Sequence, residues 1–265
     1  MALALHLLYA LLMVLLPTAE AIYHERSPAA LLFLFWVESM MLLLTHPARI
    51  VMHRYLTRAT GHYATMNQIS AMRSVASLPS LLATPNTFLK SFLGLTAAFT
   101  LVHGVFIALI VFVFKISGPF VWRDMQIAIY WAVVMQLGFL LIDVFTLSRW
   151  PFFRLHVTVA SSVRRLLVTQ FGIIFGVLMA AITKSPWALV GTFIAFRVII
   201  DGFLEWSVSA HRRGRISDRF ARAIAKKENK SVEQVREDLR QSSKDEREAY
   251  ELFNKPISEV RPDLA

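Results

Sequence analysis

Cysteine is absent from the 265-residue chain, which excludes disulfide frameworks, thiolate nucleophiles and Cys-ligated metal sites. Charge is scarce as well. Only 17% of the residues are Asp, Glu, Lys or Arg, where a soluble domain carries about a quarter. Acidic residues are missing altogether from two long stretches, 45–90 and 148–165, which hold five and four Lys/Arg. The chain also lacks the spacings that announce common chemistry. It has no G-x-S-x-G, no P-loop and no G-x-G-x-x-G, so neither a serine hydrolase nor a nucleotide site is signalled. Neither H-x-x-x-H nor E-x-x-H occurs. His103 with Glu38, Asp143 or Asp201 would make a carboxylate–imidazole set, but Arg197 would oppose a cation there, and the sequence implies no metal and no cofactor. No motif names a reaction, so an intramembrane enzyme ranks third among the readings of the sequence.

What is present is apolar sequence, 56% of the chain, in runs of bilayer length. Spans are predicted at about 2–16, 29–44, 91–114, 125–147, 166–182 and 186–206. A helix of about twenty such residues crosses the roughly 30 Å hydrocarbon core. The fold class expected is therefore all-α, a polytopic transmembrane bundle of about six helices over residues 1–206. The first run is short for a span. Ala19-Glu20-Ala21 after it fits a signal-peptide cleavage site, but the run has no basic residue before it, which favours a short retained helix. Within 45–90, Met66, Ile69, Met72 and Val75 recur at helical spacing, as in a helix lying on the membrane surface or an ordinary solvated one.

The charges are segregated. Residues 1–215 carry 17 Lys/Arg against 7 Asp/Glu, whereas residues 216–265 carry 11 of each. A pI near 10.2 can signal nucleic-acid binding, but basic loops between apolar spans read better as topology signals. Segments 45–90, 148–165 and 207–228 hold five, four and seven Lys/Arg; segments 17–27, 115–124 and 183–186 hold one, two and one. The rich set belongs in the cytoplasm, which places both termini there. The expected partners are the lipid bilayer itself and anionic head groups at the basic loops, with no nucleic acid. Residues 207–265 read as a basic junction and a charged tail. Ser231-Val232-Glu233-Gln234 has the form of a capping box and would start a helix to about Leu239. The weak apolar stripe beyond predicts a mobile, partly helical segment.

Ionisable and amide side chains inside the spans are the candidates for function. Glu38, His103, Gln136 and Arg197 fall at similar depth by count from the span ends, and Asp201 lies about 6 Å nearer the cytoplasm, at 1.5 Å per residue. Such groups cost about 3 kcal/mol or more to insert and mark sites, pathways or interior pairs. One reading is a midplane cluster that binds or moves a small solute or ion. The other is a structural or partner-binding protein in which these residues are polar glue that only fixes helix packing, worth about 0.6–2 kcal/mol per hydrogen bond.

Several short motifs occur in a characteristic order: Phe35-Trp36 with Glu38; Phe99, His103-Gly104 and Phe106; Arg165-Leu166-Leu167-Val168; Gly172-Ile173-Ile174-Phe175-Gly176; and Arg197 with Asp201. In this order and spacing the chain resembles a prokaryotic multi-pass membrane family known only as a domain of unknown function. The resemblance covers most of residues 1–206 and none of the tail. It implies a location in the prokaryotic plasma membrane and no particular reaction. The chain departs from the family pattern at Phe35 and Ser39, where Tyr and Asn are usual. It has Leu95-Thr96-Ala97 where His-Tyr-Gly often stands, and Arg197 in place of Lys. The missing histidine argues against a two-His metal site.

Overall fold

The computed structural model describes residues 28–71, 82, 84, 86–115, 121–212, 222, 225–226 and 230–264. The predicted span at 2–16 and its cleavage question lie outside the described residues, as do Met72 and Val75. Among the described residues the chain is helical, and its one β-type pairing is an isolated bridge between Ala59 and Pro256. The long helices are α1 (Pro28–Thr57), α3 (Thr87–Ala108), α4 (Trp122–Thr146), α5 (Phe152–Thr183), α6 (Pro186–Arg212) and α7 (Val232–Asn254). Two short ones, α2 (Met66–Ala71) and α8 (Ile257–Val260), complete the set. The α3 ladder passes into a π-helical turn over Leu109–Val113.

Helix α1 is the hub, packed against α3, α4, α5 and α6. Helices α5 and α6 form a tight antiparallel pair. Lys184 takes the left-handed conformation (φ 55°) that ends α5, and Pro186 opens α6 with a fixed helical φ. Their axes approach closely because Gly172 lies against Phe193 and Gly176 against the Leu189 carbonyl. A Cβ at Gly176 would stand 2.7 Å from that oxygen.

Four helical stretches are long and apolar enough to cross a membrane: 28–57, 87–113, 132–149 and 152–183. In α6 the apolar stretch is shorter, Pro186–Ile200. The outward faces of these helices are apolar. Leu101, Phe145 and Ile199 are 68%, 76% and 67% exposed, a greasy belt that water would not stabilise and that is consistent with an integral membrane protein.

Two sequence-based boundaries shift, and one helix faces elsewhere than expected. Helix α1 does not close at His46-Pro47 but runs on to Thr57 with Pro47 inside it. A proline costs a helix interior about 3 kcal/mol, and here it is offset by the burial of Arg49, Ile50 and His53 on the continuing turns. Helix α5 begins at Phe152, so most of the basic segment 148–165 is helix rather than loop. Helix α2 turns Met66 and Ile69 into the bundle core, beside Phe88 and Phe92, rather than toward a membrane surface.

The tail also differs from its reading as a mobile segment. The capping box is present: the Gln234 amide donates to Ser231 Oγ (3.1 Å) and the Ser231 amide to Gln234 Oε1 (3.0 Å). The helix it starts runs to Asn254, well past Leu239. The tail's end then docks on the bundle, with Phe253 and Ile257 buried in the core formed by Phe88, Phe152 and Leu155. Dense mixed charge over most of the segment hides a few apolar residues concentrated at its end.

Candidate functional site

The buried face of α3 is a helical stripe of Phe88, Phe92, Thr96, Thr100, His103 and Ile107. Half of it is polar. Trp36 of α1 sets the register: its indole Nε1–H donates to the Thr100 carbonyl at 3.1 Å. The ring lies over Gly104, where an added Cβ would fall 2.7 Å from Nε1. Ten residues on in α1, His46 stacks on Phe92, eight residues back in α3, with centroids 5.8 Å apart. The two helices are thus antiparallel, and Glu38 lies within about a helical turn of Thr100 and His103 in depth.

Glu38, Thr100 and His103 are all buried. Thr96 Oγ1 donates to the Phe92 carbonyl (2.7 Å) and Ser39 Oγ to the Phe35 carbonyl (3.0 Å), each spending its hydroxyl on its own helix. Thr100 Oγ1 and His103 Nε2 have no hydrogen-bond partner among the described residues. A buried polar atom left unpaired costs about 1–3 kcal/mol, and these two lie on adjacent turns of the buried face of α3. Of the other sequence candidates, Gln136 is half-buried on α4. Arg197 and Asp201 sit on α6, and their side chains lie outside the described residues.

Toward the other end of α1 the interior polar groups are satisfied internally. Arg49 Nε donates to Asp143 Oδ2 at 2.8 Å, joining α1 to α4. Arg49 Nη1 lies 3.4 Å from His46 Nδ1, and Ser162 Oγ lies 2.8 Å from His46 Nε2. An arginine can only donate, so Nδ1 accepts and Nε2–H donates to Ser162, whose hydroxyl passes on to the Thr158 carbonyl at 3.1 Å.

A third group lies at the end of the bundle. His53 Nε2 is 3.0 Å from the Trp150 carbonyl, which can only accept, so that nitrogen carries the proton. In the neutral ring His53 Nδ1 then accepts from His62 Nε2–H at 2.9 Å. This leaves the His62 Nδ1 lone pair buried and without a partner, and the two ring nitrogens of His156, one N–H and one lone pair in the neutral ring, are buried without partners as well. Burial is the first cause holding His62 well below the ordinary histidine range, followed by the charges of His53 and Arg54.

Sequence reasoning placed Glu38 and His103 in one site but missed His46, Arg49, His53, His62 and His156. Reading Pro47 as a helix end put three of them in a loop. Carried through the proline, the spacing of 38, 46, 49 and 53 follows one face of α1, and that was the signal available. Among the described residues no three His, Asp or Glu side chains converge as a metal site. No curated protein and no solved structure matches the chain. A family model does, over residues 1–225, from α1 to beyond α6 and so across the whole Trp36–Gly104 seat and both buried polar groups. The chain belongs to that family, the family of unknown function DUF6498.

Proposed function

We propose that the protein is an integral membrane protein that binds a small polar solute or ion in its interior, between α1 and α3, and moves it across the bilayer. The observation that carries this reading is the buried pair of Thr100 Oγ1 and His103 Nε2, neither with a hydrogen-bond partner among the described residues, at a depth in the bundle close to that of the buried Glu38. Polar groups inside a membrane bundle are expensive and are kept where they serve a pathway or a site. Gln136, Arg197 and Asp201 are assigned to the same cluster on their sequence depth. Six spans with both termini in the cytoplasm, the basic segments against anionic head groups of a prokaryotic plasma membrane, complete the assignment.

A structural role is the second reading, and it has its own support. Arg49–Asp143 and His46–Ser162 are internally satisfied contacts that join helices without offering a free group. The two readings separate in proteoliposomes. Capacitive currents recorded on a solid-supported membrane, under gradients of protons, alkali cations and a panel of small organic solutes, should show a response that Glu38→Gln and His103→Ala each abolish. Silence across the whole panel, together with destabilisation by both substitutions, would leave the structural role.

A further inference from the structure

The end of the bundle that holds three histidines is closed by the tail. Four hydrogen bonds seat residues 254–257. The Thr60 amide and Oγ1 both donate to the Lys255 carbonyl (2.9 and 2.7 Å), the Ile257 amide donates to the Arg58 carbonyl (3.0 Å), and the Phe152 amide donates to Asn254 Oδ1 (2.6 Å). Phe253 and Ile257 are buried as anchors. The Phe152 ring connects strap and histidines, with its centroid 6.1 Å from Phe253, 5.1 Å from His62 and 6.3 Å from His53. Tyr250 lies 6.4 Å from His156.

A proton arriving here finds no counter-charge inside. Among the described residues Glu38 is the one buried carboxylate. It is fifteen residues from His53 along α1, about 22 Å at 1.5 Å per residue. The charged groups on the surrounding elements are mostly basic: Arg54 (bonded to Asn86) and Arg58 at the end of α1, Lys90 on α3, Arg154 (stacked on Trp150) and Arg164 on α5, and Lys255 in the strap. The strap's nearest acids by sequence, Glu248, Glu251 and Glu259, are exposed. Charging an imidazole in apolar surroundings without an anion costs several kcal/mol. The lining that yields at least expense is the strap, since every other wall is a bundle helix or the 60–63 turn between them.

We propose that residues 250–257 form an acid-released latch, seated while His53, His62 and His156 are neutral and lifted when a proton charges the cluster. The geometry is that of an apolar plug over unpaired imidazole nitrogens, and the low affinity of buried His62 for a proton sets release on the acid side of neutrality. The latch lies beyond the family-matched residues 1–225 and does not depend on the solute-binding reading.

The absence of cysteine makes the test direct. Spin labels on Lys90→Cys and Glu248→Cys, both exposed positions, report the distance between α3 and the tail in full-length protein in lipid nanodiscs. A narrow distribution is expected at about pH 8, and a broader, longer one at about pH 5 that reverses on return, as histidine titration requires. His62→Gln with His156→Gln should lower the midpoint by at least about one pH unit. Phe253→Ala should give the broad distribution at both pH values. An unchanged midpoint in the double variant, a native-like pH response in Phe253→Ala, or no release down to about pH 4.5 would overturn the proposal. So would loss of bundle helix content together with release.

Discussion

At the scale of single residues, the family-like motif of Trp36 and Gly104 acquires a physical meaning. The indole needs the space a Cβ would fill, and its N–H fixes α1 against the Thr100 carbonyl. Gly104→Ala should therefore destabilise the protein by about 1–3 kcal/mol, as overpacking does. Trp36→Phe should recover part of the loss, measured as a double-mutant cycle on unfolding. The Arg49–Asp143 pair makes a different demand. With Arg49 almost fully buried, Asp143→Asn strands a charge and should cost about 3–5 kcal/mol. Arg49→Met in the same chain should return much of that, and additive costs would show that the pair is not coupled. His62 gives stability a pH dependence of known sign. Its folded-state value lies below the unfolded value of about 6.5, so neutral His62 contributes stability that is present above about pH 6.5. That contribution is lost as pH falls toward the folded-state value. Unfolding midpoints should decline between about pH 7 and 5, and His62→Gln should flatten the decline.

At the scale of elements, the helices announced themselves by apolar runs, and their ends did not. A run ends where hydrophobicity ends, but α1 and α5 continue past it because the flanking turns bury Arg49, His53, Leu155 and His156 against other elements. Such tertiary contacts override a local proline and a local excess of Arg. The capping box at Ser231 was legible because its chemistry is contained in four residues. The docking of the same segment was not, because Tyr250, Phe253 and Ile257 find their partners about a hundred residues or more away in sequence, on the 58–63 turn and α5. Truncation after Ala249 should consequently cost stability. Removing Phe253 and Ile257 from a closed core corresponds to about 2–5 kcal/mol for each side chain, and thermal unfolding of the truncated protein in detergent reads it. A midpoint equal to that of the full chain would mean that the strap is not seated.

At the scale of the whole molecule, two kinds of surface have changed places relative to a soluble protein. The outside of α3, α4 and α5 is apolar, and the inside carries a line of polar groups from His103 and Glu38 to His156. The first is what a bilayer as solvent would require, and partner-finding explains much of the second. Arg49, Asp143, His46, Ser162 and His53 are satisfied within the protein, whereas Thr100 and His103 at one end, and His62 and His156 at the other, keep buried atoms without a partner among the described residues. Glu38 and His103 were legible as candidates because each is a lone ionisable group in an apolar run. Thr100 was not, since a threonine in a membrane helix ordinarily bonds its own backbone and passes unnoticed. That hydroxyl now carries the central claim, and Thr100→Val removes it while keeping the shape of the side chain. The measurement is the unfolding free energy of Thr100→Val against the parent protein in the same bilayer mimic. If the hydroxyl is held for a solute or ion, the empty protein should be as stable as the parent or more so by about 1 kcal/mol, the relief of an unpaired buried group. A loss of 1 kcal/mol or more would show that the hydroxyl bonds within the fold, and the interior between α1 and α3 would then be packing and not a site.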